Sequence, residues 1–249
     1  MKTALISCMP LAFTLQTALA CTHPQPSPVP TVAQELTELA PAPCDAQTPV
    51  LATCRISANS VHPTQFAVGL KDVQKKREKV AKIKNDPKEL RDFLKKKTPP
   101  AVKGPEDVFY IVDGHHTTRA LSEESVPSIF IKITKDYSDL TNSDFWERMK
   151  SENLVWLYDE NGEGPKDPIY IPNSITDLPD DPFRSLSEDA KQLGAYQEHS
   201  VFYQQFIWAN FFRKFIPKEK VTNEYDAAVQ DAVKIAKSPE ASGLPGYQP

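Results

Sequence analysis

The sequence predicts an α+β fold: a small sheet wrapped by helices, with a helical C-terminal extension. Three observations carry that prediction. Val108-Phe109-Tyr110-Ile111-Val112 is an unbroken apolar run that ends at Asp113-Gly114 and leads into a helical pattern. From Pro127 to Thr134, Ile129, Ile131 and Ile133 alternate with other residues at the two-residue strand period. Beyond residue 184, segments near 184–194, 200–216 and 222–237 carry helical periodicity.

Elements follow in chain order. Lys2, the apolar stretch Ala4 to Ala20 and the small residues of Ala18-Leu19-Ala20 have the layout of a signal peptide over residues 1–20. Pro10 and Gln16 interrupt the stretch, which falls short of the roughly 20 apolar residues of a membrane span. The chain is therefore expected to be exported, either secreted or periplasmic. Cys21 leaves two readings open. In one it is acylated as a lipid anchor, although the leucine sits at −2 rather than the usual −3; Cys44 and Cys54 then remain as an even pair that closes a disulfide in an oxidising compartment. In the other, three thiols remain in the mature chain. No Cys-x-x-Cys spacing exists, which argues against structural zinc.

Residues 21–54, rich in Pro, Thr and Ala, read as a tether. The domain is expected over 55–237, with a flexible tail at 238–249. Leu70, Val73, Val80 and Ile83 share one face of a lysine-rich helix, and Asp86-Pro87 caps a second with Leu90, Phe93 and Leu94 inward. The strand 108–112 feeds a helix from His115 to Ser122. Asn142 or Ser143 caps a helix bearing Phe145, Trp146 and Met149. Val155 to Tyr158 and Ile169 to Ile171 flank Asn161-Gly162, predicting a hairpin. Val201 to Ile216 is aromatic enough to require burial, and Trp146, Trp156 and Trp208 read as core.

Charge is uneven. Lys71 to Lys103 holds 13 Lys/Arg against five Asp/Glu, a balance of +8, whereas Gly104 onward holds 14 against 25, a balance of −11. The lysines form either a solvated helix face or a basic wall for phosphate. The acidic remainder argues against broad duplex-DNA binding.

The informative stretch is Asp113-Gly114-His115-His116 with Thr117, Thr118 and Arg119 after it. A strand ends in an acid, a glycine permits the turn, and two histidines open a helix whose first amide groups attract anions. Imidazoles placed there can donate to phosphate, bind metal or move protons. Adjacent side chains on a helix point about 100° apart, so one ring is expected to face the cleft while the other supports the turn.

Val61-His62-Pro63-Thr64-Gln65, Val68-Gly69 through Val73 and Lys76, and Val112 through Thr117 resemble the ParB-like nucleases. Asp136-Tyr137-Ser138-Asp139-Leu140, Phe145-Trp146 with Arg148-Met149, and Asp181-Pro182-Phe183-Arg184-Ser185-Leu186 extend the match across roughly 56–216. The resemblance implies the ParB/sulfiredoxin-type fold, a small mixed sheet in which this turn binds phosphate or nucleotide. Two departures matter. Thr117 stands where relatives carry arginine, with Arg119 two places on. His115 occupies the position of the sulfiredoxin cysteine, which excludes peroxiredoxin repair. No helix-turn-helix that would read duplex DNA is evident.

The expected activity is phosphoester hydrolysis, as a nuclease or nucleotidase, on a phosphate-containing small molecule or nucleic acid. His116 is the expected acid/base and His115 orients substrate or stabilises charge. Asp113 holds an imidazole or a divalent metal, and Gly114 with Thr117, Thr118, Arg119, Gln65 and Lys76 binds the ligand. A nucleotide-dependent phosphotransferase and a non-enzymatic anion-binding surface module are the alternatives. Arg184 reads as a salt-bridged loop anchor, and Glu198-His199 as a solvent-facing helix start.

Overall fold

A computed structural model describes residues 40–249. The expected signal peptide at 1–20, Cys21 and the tether up to residue 39 lie outside the described residues. Five strands form one sheet: β1 (Thr53–Ile56), β2 (Val61–His62), β3 (Pro100–Lys103), β4 (Phe109–Ile111) and β5 (Ile129–Asp136), in the order β1-β5-β3-β4-β2. The sheet is mixed. β1 with β5 and β3 with β4 run antiparallel, whereas β3 with β5 and β2 with β4 run parallel.

One face of the sheet is covered by α1 (Leu70–Ile83), α2 (Pro87–Lys96) and α3 (His115–Glu123). Val73, Val80, Leu90 and Leu94 pack there on Ile111, Ile129, Ile131 and Ile133. The side chain of Asp86 accepts from the Glu89 amide and so caps α2, with Pro87 at its first position, where no N–H is needed. The opposite face is covered by α4 (Asn142–Ser151), through Phe145 and Met149 against Val102 and Phe66. The cap of α4 is Thr141, one residue ahead of the expected Asn142 or Ser143; its hydroxyl accepts from the Asp144 amide.

A second apolar cluster joins α5 (Pro182–Gln192), α6 (Gln204–Phe212), α7 (Lys218–Asn223) and α8 (Tyr225–Ala236). Trp208 lies fully buried at its centre, stacked on Tyr196 with ring centroids 4.2 Å apart. Residues 238–249, expected as a tail, pack onto this cluster. Gln204 and Trp208 both donate to the Pro245 carbonyl, and Tyr247 bridges Tyr196. Near the other end, Cys44 and Cys54 form a disulfide that ties residues ahead of β1 to the sheet. Among the described residues no helix is long and apolar enough to cross a membrane.

Three sequence expectations fail. The hairpin at 155–171 is absent. The chain does turn at Asn161-Gly162, with Gly162 donating to the Asp159 carbonyl, but Trp156 bridges Gln65 and Pro168–Tyr170 forms a 3-10 turn. Pro165, Pro168 and Pro172 remove the amide donors that a ladder needs. The aromatic helix is also shorter than the segment 200–216, spanning only Gln204–Phe212. Val201 and Phe202 lie outside it, with Phe202 60% exposed. Trp146 and Trp156 are half-buried, so only Trp208 is a core tryptophan.

Candidate functional site

The site grows from the end of β4. Gly114 adopts φ +75°, a conformation that glycine takes without strain, and an added Cβ would stand 3.0 Å from Pro99 Cβ. Asp113 Oδ1 accepts from the Gly114 amide at 2.6 Å, so the acid shapes the turn itself. The first internal bond of α3 runs from the Thr118 amide to the Gly114 carbonyl. The amides of His115, His116 and Thr117 precede it and have no partner within the helix.

The residues that carry those amides line a cavity of about 690 Å³ bordered by the turn, the Lys96–Pro100 segment, α5 and residues 198–206. Asp113, Gly114, His115, His116 and Thr117 all line it, as do Gln65 and Lys76. Thr118 and Arg119 do not. Thr118 is buried within the fold, and Arg119 is engaged by Glu123 at 2.7 Å and by the Leu178 carbonyl at 2.6 Å. Lys76 lines the cavity already paired with both oxygens of Asp72. Gln65 donates to the Ala67 carbonyl.

Both histidines carry backbone amides. His115 Nε2 accepts from the Thr64 amide at 3.1 Å and His116 Nε2 accepts from the Gly69 amide at 2.9 Å. An accepting Nε2 places the single proton of a neutral ring on Nδ1. His116 Nδ1 lies 3.8 Å from Asp72 Oδ2. The expected division of labour, one ring in the cleft and one supporting the turn, is not seen. Both rings line the cavity, and both pin the segment between β2 and α1. Burial, reinforced by His116 and Arg184, pushes the His115 pKa down to about 3. Burial also holds His116 well below 6.5, with Arg184, Lys76 and Arg119 adding to the effect. Both rings are neutral at neutral pH.

Sequence reasoning missed several lining residues. Lys96 and Lys97, both exposed, contribute cations from the end of α2; the +8 balance of Lys71–Lys103 marked the region without showing which lysines line the cavity. Arg184 lines the wall and makes no salt bridge among the described residues; the ion pair to Asp181 belongs to Arg213. Glu198 and His199 line the cavity ahead of α6 instead of starting a helix. Tyr203 and Phe206 form an aromatic wall with Trp156, at centroid distances of 5.1 and 4.6 Å from its ring. The signal for that wall was the aromatic run itself, which helical periodicity assigned to the core. For the expected divalent metal, no group of three or more His, Cys, Asp or Glu poised to hold an ion occurs among the described residues.

Comparison with known proteins adds three findings. No curated protein matches the chain. Protein Atu1540 from Agrobacterium tumefaciens, a crystal structure, superposes with a TM-score of 0.72 at 34% identity, covering 79% of this chain and 98% of that one. The family model described as "Putative ParB-like nuclease" matches residues 54–214, a span that runs from β1 through the β4–α3 turn and into the C-terminal helices. The chain belongs to that ParB-like nuclease family.

Proposed function

We propose that this chain is an exported phosphoester hydrolase, a nuclease or nucleotidase in class, that receives the substrate phosphate at the start of α3. The observation that carries the reading is a cavity of about 690 Å³ lined by the helix's first residues, whose amides have no partner within the helix. Those amides and the helix dipole favour a bound anion. Lys96 and Lys97 add positive charge at the same wall.

The histidines refine the mechanism. A base step at His116 needs the Nε2 lone pair, which is bonded to the Gly69 amide. That bond must open as substrate arrives, freeing the ring for proton transfer and the amide for the phosphate. The same bonding favours a second reading, in which the cavity binds an anionic ligand without turnover. Export rests on the leader-like residues 1–20, and cell fractionation tests it.

Incubating the purified chain with mononucleotides, single-stranded nucleic acid and bis(p-nitrophenyl) phosphate separates the two readings. Hydrolysis that His116→Ala abolishes supports the enzyme. Ligand-induced stabilisation without any turnover supports binding alone. Full activity in His116→Ala removes the proposed acid/base step.

A further inference from the structure

The cavity wall holds a cation with no partner. Arg184, in the first turn of α5, is only 5% exposed. Its guanidinium carbon lies 3.2 Å from the centroid of the Phe206 ring, a stacked arrangement that fixes the plane of the group. Nε and Nη1 are shut off from solvent and have no hydrogen-bond partner among the described residues. Nη2 is not closed off in this way, and Arg184 lines the cavity.

Two of the three acids whose charge reaches Arg184 are already paired with other cations, and the third, Asp113, accepts from the Gly114 amide. Asp181 Oδ2 is taken by Arg213 at 2.8 Å, and Asp72 by Lys76 at 2.7 and 2.9 Å. Burial lowers the Arg184 pKa only to about 10, so the guanidinium stays charged at neutral pH. A buried charge without a partner is strongly destabilising, and proteins retain such groups where a ligand completes them. The turn has no arginine of its own to offer: Thr117 follows His116, and Arg119 is spent on Glu123 and Leu178.

We propose that Arg184 is the guanidinium that grips the phosphate held at the start of α3, delivered across the cavity from α5 instead of from the turn. The proposal rests on the phosphate-binding reading above. Nη2 is the nitrogen open to the cavity, and seating phosphate must uncover Nη1 or Nε before the planar fork meets two oxygens at once, a geometry that a lysine ammonium does not reproduce. Phe206 keeps that fork oriented.

Thermal melts and calorimetric titrations with inorganic phosphate, against a sodium chloride control of equal ionic strength, test this on the full-length chain, Arg184→Met and Arg184→Lys. The wild type should bind phosphate saturably. Arg184→Met should melt at the same temperature or higher, because an unpartnered buried charge is gone, yet bind phosphate at least about tenfold more weakly. Arg184→Lys should fold and bind weakly, since charge returns without the fork. Wild-type affinity in either variant overturns the proposal while leaving the phosphate-binding reading intact. If Arg184→Met melts lower or does not fold and Arg184→Lys binds like wild type, the arginine is a packing element and the proposal fails. Absence of saturable phosphate binding in the wild type overturns both.

Discussion

Acid should destabilise this fold through His115. The ring is 3% exposed, and burial pushes its pKa from 6.5 to about 3. The folded-state pKa of this base is depressed, so the unfolded chain takes up the proton first. The stability is fully present above pH 6.5 and is lost as pH falls from 6.5 toward 3. At pH 5 the loss from this ring alone is roughly 2 kcal/mol, from 1.5 pH units at about 1.36 kcal/mol each. His116 and His62, also depressed, act in the same direction. The lowered carboxylates Glu124, Glu152, Asp136 and Asp159 start from 4.5 or below and contribute mainly at lower pH. Burial raises the Asp181 carboxyl, which acts in the opposite direction between pH 7.5 and 5, so the difference between a His115 variant and the wild type isolates the imidazole. His115→Gln keeps an acceptor for the Thr64 amide but cannot ionise. Urea denaturation followed by tryptophan fluorescence at the two pH values should show the variant losing roughly 2 kcal/mol less than the wild type. Equal losses in the two proteins would refute the reasoning.

Three further perturbations follow from named contacts. Gly114→Ala forces a Cβ into φ +75° and against Pro99, and should cost about 1–2 kcal/mol in denaturant titrations; unchanged stability would show that the turn relaxes freely. Gly69→Ala places a Cβ 2.7 Å from the Ser185 amide, at the residue whose own amide holds His116. It should cost about 1–3 kcal/mol and weaken phosphate binding in the same calorimetric assay. Cys44→Ser opens a crosslink of sequence separation 10, whose loss should lower stability by about 3 kcal/mol on the chain-entropy estimate. Denaturation of the variant and of the reduced wild type should then coincide.

What the sequence disclosed was local. An apolar run, an acid, a glycine and a helix start lie within about ten residues, so the β4–α3 turn and its free amides could be read directly. The partners of the two imidazoles could not. They are amides 51 and 47 residues away, and the depressed pKa values come from burial that only the folded chain creates. The hairpin expected around Asn161-Gly162 failed because a sound turn signal was read without the three prolines downstream. Arg184 stands three residues from Asp181 and Arg213 stands 32 away, yet packing gives that acid to Arg213. The order of the sheet, with β3 parallel to β5, likewise depends on pairings distant in the chain.

The most direct measurement of the central claim is a ¹⁵N-labelled titration of the purified chain with inorganic phosphate, observed amide by amide. Anion binding at the start of α3 predicts saturable shifts greatest at His115, His116 and Thr117, with Gly69 moving as its bond to His116 opens. Saturable shifts centred elsewhere, with those four amides unmoved, would contradict it.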